Sequence, residues 1–184
     1  TWEKRGGVLF PHQDFDEAYI TENNDGSLWM TARTEEGIFQ SISTDNGYTW
    51  SAPTQYMKSA IAHHFITRLA SGNLLLVKNG RIGYDDARKR MTAYLSDDDG
   101  LTWKGGLLLD ERQNVTYPDG FQAPDGTIYM TYDIRGIIYH IAVFTEADVL
   151  GGEFLSPQSR QKGIIAPVLD DVATVHVGTP GGLQ

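Results

Sequence analysis

The sequence predicts an all-β chain assembled from the blades of a β-propeller. Two repeats and the shape of the apolar runs carry this. An eight-residue pattern, Ser-x-Asp-x-Gly-x-Thr-Trp, stands at Ser43-Thr44-Asp45-Asn46-Gly47-Tyr48-Thr49-Trp50 and again at Ser96-Asp97-Asp98-Asp99-Gly100-Leu101-Thr102-Trp103. A Gly turn followed by an apolar strand occurs three times, at Asp25-Gly26, Ser71-Gly72 and Asp125-Gly126. The apolar runs are short and bounded by Gly, Asp and Asn, as strands joined by hairpins are. Thr-Trp pairs at positions 1, 49 and 102 are spaced by 48 and 53 residues. Units of ~40–50 residues holding three or four strands each are propeller blades.

The eight-residue box is a local folding device. Its Ser and Asp flank a turn, and the Asp carboxylate is placed to accept backbone N–H bonds across it. Gly supplies the positive φ of a tight hairpin. Thr returns the chain to a strand, and Trp fills the space beneath the turn. Nothing in the box calls for chemistry.

Taken in order, the first unit has strands at Ala18 to Glu22, Ser27 to Arg33 and Ile38 to Ser43. The second has Phe65 to Leu69, Asn73 to Lys78 and Met91 to Ser96; the third has Asp119 to Gln122, Thr127 to Asp133 and Ile138 to Phe144. A closed ring needs at least four blades, so residues 1–184 are expected to form one partial propeller domain whose N-terminal blades are missing. Thr145 to Gly151 reads as a capped helical turn ended by Gly. Ile164-Ile165 and Val172 to Val177 are expected strands of a blade that closes the ring.

Composition narrows the partners. A net charge of −9 argues against a nucleic-acid surface. No apolar run approaches the ~18 residues of a membrane span. The absence of cysteine excludes disulfides and thiolate sites and leaves the compartment open.

The two boxes resemble the Asp-boxes, or BNR repeats, of the sialidase (neuraminidase) superfamily, whose fold is a six-bladed β-propeller. Sialidases of this kind use a tyrosine nucleophile assisted by a glutamate. Three arginines bind the substrate carboxylate, and an aspartate serves as acid/base. The resemblance covers about Phe15 to Asp133 and implies four residues in family order. Glu17, ahead of the Asp25-Gly26 turn, looks like the assisting glutamate. Arg33, which ends the following strand ten residues before the box at Ser43, and Arg88, shortly upstream of the second box, look like two of the carboxylate binders. Arg90 is the fallback for Arg88. Tyr117, followed by Asp125-Gly126-Thr127-Ile128, looks like the nucleophile. The first arginine and the acid/base aspartate are expected outside this chain. Where the family has a small polar residue after the tyrosine, this chain has Pro118-Asp119. The resemblance further implies no cofactor and no metal, a sialylated or other acidic glycan as partner, and a secreted or periplasmic location.

These residue types suit that chemistry. A sialic acid carries a carboxylate on its anomeric carbon, so an anionic nucleophile would approach against like charge. A phenol is neutral until it reacts, and a nearby carboxylate takes its proton. Arginine's planar fork matches a carboxylate and stays charged. Plainer readings stand beside these: Tyr117 as an ordinary strand aromatic, Glu17 as a solvated carboxylate, Arg88 as part of the solvated cluster with Lys89 and Arg90. His63 and His64 are adjacent, and neighbours in a strand point to opposite faces, which argues against a shared metal and leaves one free to line a pocket. Arg68 and Arg81 are further anion binders. Two other functions fit the same scaffold: an enzyme acting on another acidic sugar such as a uronate, by hydrolysis or elimination, or a non-catalytic glycan-binding propeller.

Overall fold

The computed structural model describes residues 1–12 and 17–167. Their strands form three four-stranded antiparallel sheets. The first holds β1 (Ala18–Glu22), β2 (Leu28–Thr34), β3 (Gly37–Ser43) and β4 (Thr54–Met57). The second holds β5 (Phe65–Arg68), β6 (Leu74–Asn79), β7 (Lys89–Ser96) and β8 (Lys104–Gln113). The third holds β9 (Val115–Gln122), β10 (Ile128–Ile134), β11 (Ile138–Phe144) and β12 (Arg160–Pro167). Strands follow one another across each sheet in chain order, and β1 lies against β5 and β5 against β9. Each sheet is thus a propeller blade with its first strand innermost. The chain covers part of such a propeller.

The predicted inner and middle strands are all present. The outer strands β4 and β8 are harder to read, because β4 is short and exposed at Thr54 and Gln55, and β8 opens on exposed Lys104 and Gly105 before it buries Leu107 and Leu109. Ile164 and Ile165 do lie in a strand, but β12 pairs with β11 as the outer strand of the third blade instead of opening a further one. Val172 to Val177 lie outside the described residues. The short helix α1 (Glu146–Gly151) has the expected cap: Thr145 Oγ1 accepts from Asp148 N, and Gly152 ends it at φ 72°. Among the described residues no helix is long and apolar enough to cross a membrane.

The two boxes fold alike. Asp45 accepts from Thr49 N at 2.8 Å and from Thr49 Oγ1 at 2.6 Å, and Asp98 accepts from Thr102 N and Oγ1 at the same two distances. Ser43 and Ser96 accept from Gly47 N and Gly100 N at 2.8 and 2.9 Å. The second box also grips the first blade. Asp99 accepts from the backbone and side chain of Asn24 and from Arg68, while Gly100 O accepts from Tyr56.

Blades are held by apolar layers. Trp29, Ile38, Ile66, Leu74 and Leu76 fill the space between the first and second. Leu75, Val77, Met91, Met130, Tyr132 and Phe144 belong to a second cluster, shared by the second and third. Full burial of such side chains stabilises by roughly 1.5–3 kcal/mol each. On the face of the third blade turned away from the second, Phe121 and Tyr139 are exposed.

This topology sorts the molecule into two ends. In an antiparallel meander, the first and third connections of each blade leave one end; the second connection and the link to the next blade leave the other. Both boxes and the three Gly turns occupy the first end. Glu17, the end of β2, the 58–64 and 80–88 loops and the start of β9 share the second.

Candidate active site

Glu17 sits just before β1, and Arg33 near the end of β2. The register Ala18↔Ala32 places the two across from each other, and Arg33 N donates to Glu17 O at 3.1 Å. Arg33 is 2% exposed. A guanidinium that deep in a sheet needs an anion. Arg33 Nη1 donates to Glu17 Oε1 at 3.0 Å and to Oε2 at 2.8 Å. Burial alone would raise the Glu17 carboxyl, but Arg33, and then His63, outweigh it and hold the group below the usual glutamate range. Glu17 is therefore fixed and ionised, not a freely solvated carboxylate.

His63 ends the link from the first blade to the second. Its Nε2 lies 2.9 Å from the Tyr19 hydroxyl, and its Nδ1 lies 3.2 Å from Glu17 Oε2. The second contact has the length of an ion pair without the alignment of a hydrogen bond, so Nδ1 is buried with no aligned partner. His64 turns the other way, as alternation predicts. Its Nε2 lies 2.9 Å from Thr31 Oγ1, and burial pushes it down to about 3, which keeps it neutral. With separate partners, the two rings are not posed around one ion.

Tyr19 packs among the rings of His63, His64 and Phe65. Burial, and after it the charges of Asp119 and Glu17, push its phenol up to about 12. Tyr19 is a neutral hydrogen-bonding group here.

Tyr117 is not an ordinary strand aromatic. On β9, Thr116 pairs with Asp133 and Asp119 with Thr131, so Tyr117 and Pro118 together face the single residue Tyr132. This is a β-bulge, and Tyr117 adopts φ 51° within it. A left-handed conformation in a non-glycine residue costs about 1–3 kcal/mol and recurs where a side chain has to be re-aimed. The outcome is a ring 46% exposed, with its centroid 5.4 Å from that of His63. The direct Tyr117–Glu17 hydrogen bond that the family resemblance implies is not among the bonds of the described residues. His63 stands between the two.

Arg88 reaches the same place from the 80–88 loop. Arg88 Nε donates to Ile61 O at 3.1 Å, and Arg33 Nη2 to the same oxygen at 3.4 Å. The two guanidiniums therefore converge. Arg90 joins the structure through its backbone oxygen, which accepts from Gly80 N and from Thr92 Oγ1. Arg68 is occupied with Asp99 at the opposite end, and Arg81 is paired with Asp86.

Sequence reasoning missed Tyr19 and left His63 without a role. A signal for Tyr19 was present: it stands two residues after Glu17 in a strand, hence on the same face. None existed for Ile61, which contributes only a carbonyl. A cavity of about 810 Å³ lies elsewhere, at the box end, lined by Asn23, Trp29, Gln40, Tyr56 and Asp99 among others. Its carboxylates are already engaged, Asp25 and Asp98 within turns and Asp99 with Asn24 and Arg68. The candidate site is an open face lined by charge and rings.

Residues 1–130 match the BNR repeat-like domain family. The chain belongs to that family. Among solved structures, it is similar to the intramolecular trans-sialidase from Ruminococcus gnavus, at 23% identity and a TM-score of 0.57 over 72% of this chain and 33% of that one. It is similar to the NanB sialidase from Streptococcus pneumoniae, at 19% identity and 0.56 over 70% and 22%. It is also similar to GH43B of the Bacteroides ovatus xyloglucan locus, at 14% identity and 0.53 over 84% and 31%. No curated protein sequence matches it. This BNR repeat-like chain has the sialidase-superfamily fold and spans about a third or less of the length of those structures.

Proposed function

We infer that this chain carries part of the active site of a retaining exo-glycosidase that releases terminal sialic acid from glycoconjugates. The observation that carries the reading is the convergence of Arg33 and Arg88 on one oxygen beside the bulge that aims Tyr117. Two guanidiniums pointed at one acceptor are placed for a carboxylate. An exposed phenol next to an imidazole and a carboxylate is placed to form and release a covalent glycosyl intermediate.

In this mechanism Arg33 and Arg88 hold the sugar's carboxylate, and Tyr117 attacks the anomeric carbon. Glu17 balances Arg33 and, with His63 beside it, assists the loss of the Tyr117 proton. Water then cleaves the tyrosyl–sugar bond with the same retained configuration. The test is Tyr117→Phe in the complete propeller. Turnover of an aryl sialoside should be lost with unchanged melting temperature; turnover at the wild-type rate would overturn the assignment.

A second reading is favoured by the Tyr19–His63 pair. An imidazole hydrogen-bonded to a phenol beside two guanidiniums also suits abstraction of the proton next to a uronate carboxylate, giving elimination. A panel of sialylated and uronate-containing glycans, with ultraviolet detection of unsaturated products, separates the two.

A further inference from the structure

Tyr117 and Arg88 have to keep a fixed separation if the phenol is to meet a sugar whose carboxylate is already clamped. They belong to different blades, Arg88 to the 80–88 loop of the second and Tyr117 to the bulge of the third. Asn79, the last residue of β6, reaches both segments and is 1% exposed. Its Nδ2 donates to Val115 O at 3.0 Å and to Lys89 O at 3.4 Å. Val115 opens β9 two residues before Tyr117, and Lys89 opens β7 directly after Arg88. We propose that Asn79 is a positioning residue whose single amide nitrogen sets the nucleophile relative to the carboxylate clamp. This role rests on the assignment of Tyr117 as nucleophile.

The direction of the amide follows from its partners. Both are carbonyl oxygens, which only accept, so the nitrogen faces them, and its two N–H bonds serve one each. Among the described residues Asn79 Oδ1 is buried and makes no hydrogen bond, so the nitrogen makes all of the side chain's hydrogen bonds.

The place in the blade is that of a site residue. In the first blade Arg33 stands five residues after Leu28, the partner of the box residue Ser43. In the second Asn79 stands five residues after Leu74, the partner of Ser96. The strand position that carries a substrate-facing guanidinium in one blade therefore carries an interblade amide in the next.

The strain at Tyr117 needs such a tie. Its φ of 51° persists only where the surroundings over-determine it. After the bulge, Thr131 Oγ1 donates to Asp119 O at 2.9 Å within the same blade. Before the bulge, Asn79 supplies a bond from the neighbouring blade. A second interblade bond, from Asn114 N to Arg88 O at 2.6 Å, lies at half-buried Asn114, where water can replace it. Asn79 and Val115 are buried, so solvent offers no substitute there. Each blade keeps its own ladder of backbone bonds when the amide is removed, so the separation between Arg88 and Tyr117 is what loosens first.

The test uses the complete propeller with Asn79→Asp, which keeps the shape and loses the donor, and Asn79→Ala. Val77→Ala, which hollows the same strand without touching the tie, is the control for general loosening. With an aryl sialoside, kcat should fall about 10- to 100-fold in both Asn79 variants, the scale of a reacting group misplaced by about 1 Å. KM should stay within about threefold, because both guanidiniums keep their bond to Ile61 O. Val77→Ala should lower the melting temperature and leave kcat unchanged. Wild-type kcat in the Asn79 variants, or an equal loss in Val77→Ala, overturns the proposal. If Tyr117→Phe keeps full turnover, or the wild type releases no sialic acid, the nucleophile assignment falls on its own. The tie is then read by ¹³C NMR of the Tyr117 ring: Asn79→Asp should move its resonance and Val77→Ala should not, and an unmoved resonance in Asn79→Asp overturns it.

Discussion

Arg33 of the first blade and Arg88 of the second donate to a single backbone oxygen, that of Ile61, at 3.4 and 3.1 Å. The carbonyl belongs to the link between those blades, so one acceptor ties together two elements 55 residues apart in sequence. The two arginines nevertheless differ in what else they hold, and their variants should separate.

Arg88→Met removes a partly exposed guanidinium that has a neutral partner. It should raise KM for an acidic glycan about 10- to 100-fold, in line with the loss of one charge-assisted interaction of about 1.5–3 kcal/mol, and leave stability within about 0.5 kcal/mol. Arg33→Met strips Glu17 of its counter-ion inside the sheet. Its unfolding free energy should drop by about 3–5 kcal/mol. Steady-state kinetics and urea denaturation of both variants check the contrast; equal stability losses would contradict it.

Lys78 gives a pH signature to folding. Its ammonium is buried on β6 and donates to Asn79 O at 2.6 Å and Arg81 O at 2.9 Å. Burial pushes it down to about 8, against the opposing pull of Asp86 and Asp85. The folded chain therefore gives up this proton before the unfolded chain does. Between about pH 8 and the usual lysine value the unfolded state binds more protons, so stability should rise with pH, with a slope of at most about 1.4 kcal/mol per unit. Tyr19, pushed up to about 12, acts in the opposite sense only above the ordinary phenol value. Denaturation curves from pH 7.5 to 9.5 should show the rise, and Lys78→Met should flatten it.

Asp148 organises the loop after α1. It accepts from Thr145 N, Leu155 N, Ser156 N and Ser159 Oγ at 2.6–2.9 Å. Burial raises this carboxyl, but those bonds outweigh it and hold the group well below the usual aspartate range. Its contribution is present above the unfolded-state value and is lost as pH falls through the folded one. Asp148→Ala should cost about 3 kcal/mol, since it leaves several donors unpaired. The variant's deficit, measured by denaturation, should be full at pH 6 and shrink toward pH 3.

Gly47 and Gly100 occupy the same box position at φ 83° and 84°, so the backbone strain of an alanine is the same at both. Their surroundings are not. A Cβ on Gly100 would meet Trp29 Cη2 at 2.6 Å, whereas on Gly47 the nearest atom is Leu28 Cδ1 at 3.6 Å. Gly100→Ala should be the more destabilising by about 1–3 kcal/mol, the typical effect of overpacking. Thermal unfolding of the pair reads that difference, and equal shifts would show that Trp29 moves aside freely.

The site was partly legible in the chain. Glu17 and Arg33 do meet, and Arg88 and Tyr117 come to the same end of the propeller. Each of these sits at a hairpin or strand terminus whose position the repeats predict. His63 was not assigned, because its meaning depends on Tyr19, 44 residues away, and on Tyr117, which belongs to another blade. The Tyr117 bulge was not readable either, since it exists only in the register between β9 and β10.

What the sequence by itself determined was local: two boxes whose hydrogen bonds close within a few residues, three Gly turns, and strands set by their apolar runs. Turn chemistry and strand alternation act over short stretches and therefore show in the order of residues. The tertiary structure alone decided which side chains share the site. Stacking β1, β5 and β9 around one axis brings Glu17, His63 and Tyr117 together, and Glu17 there answers to the charges of Arg33 and His63.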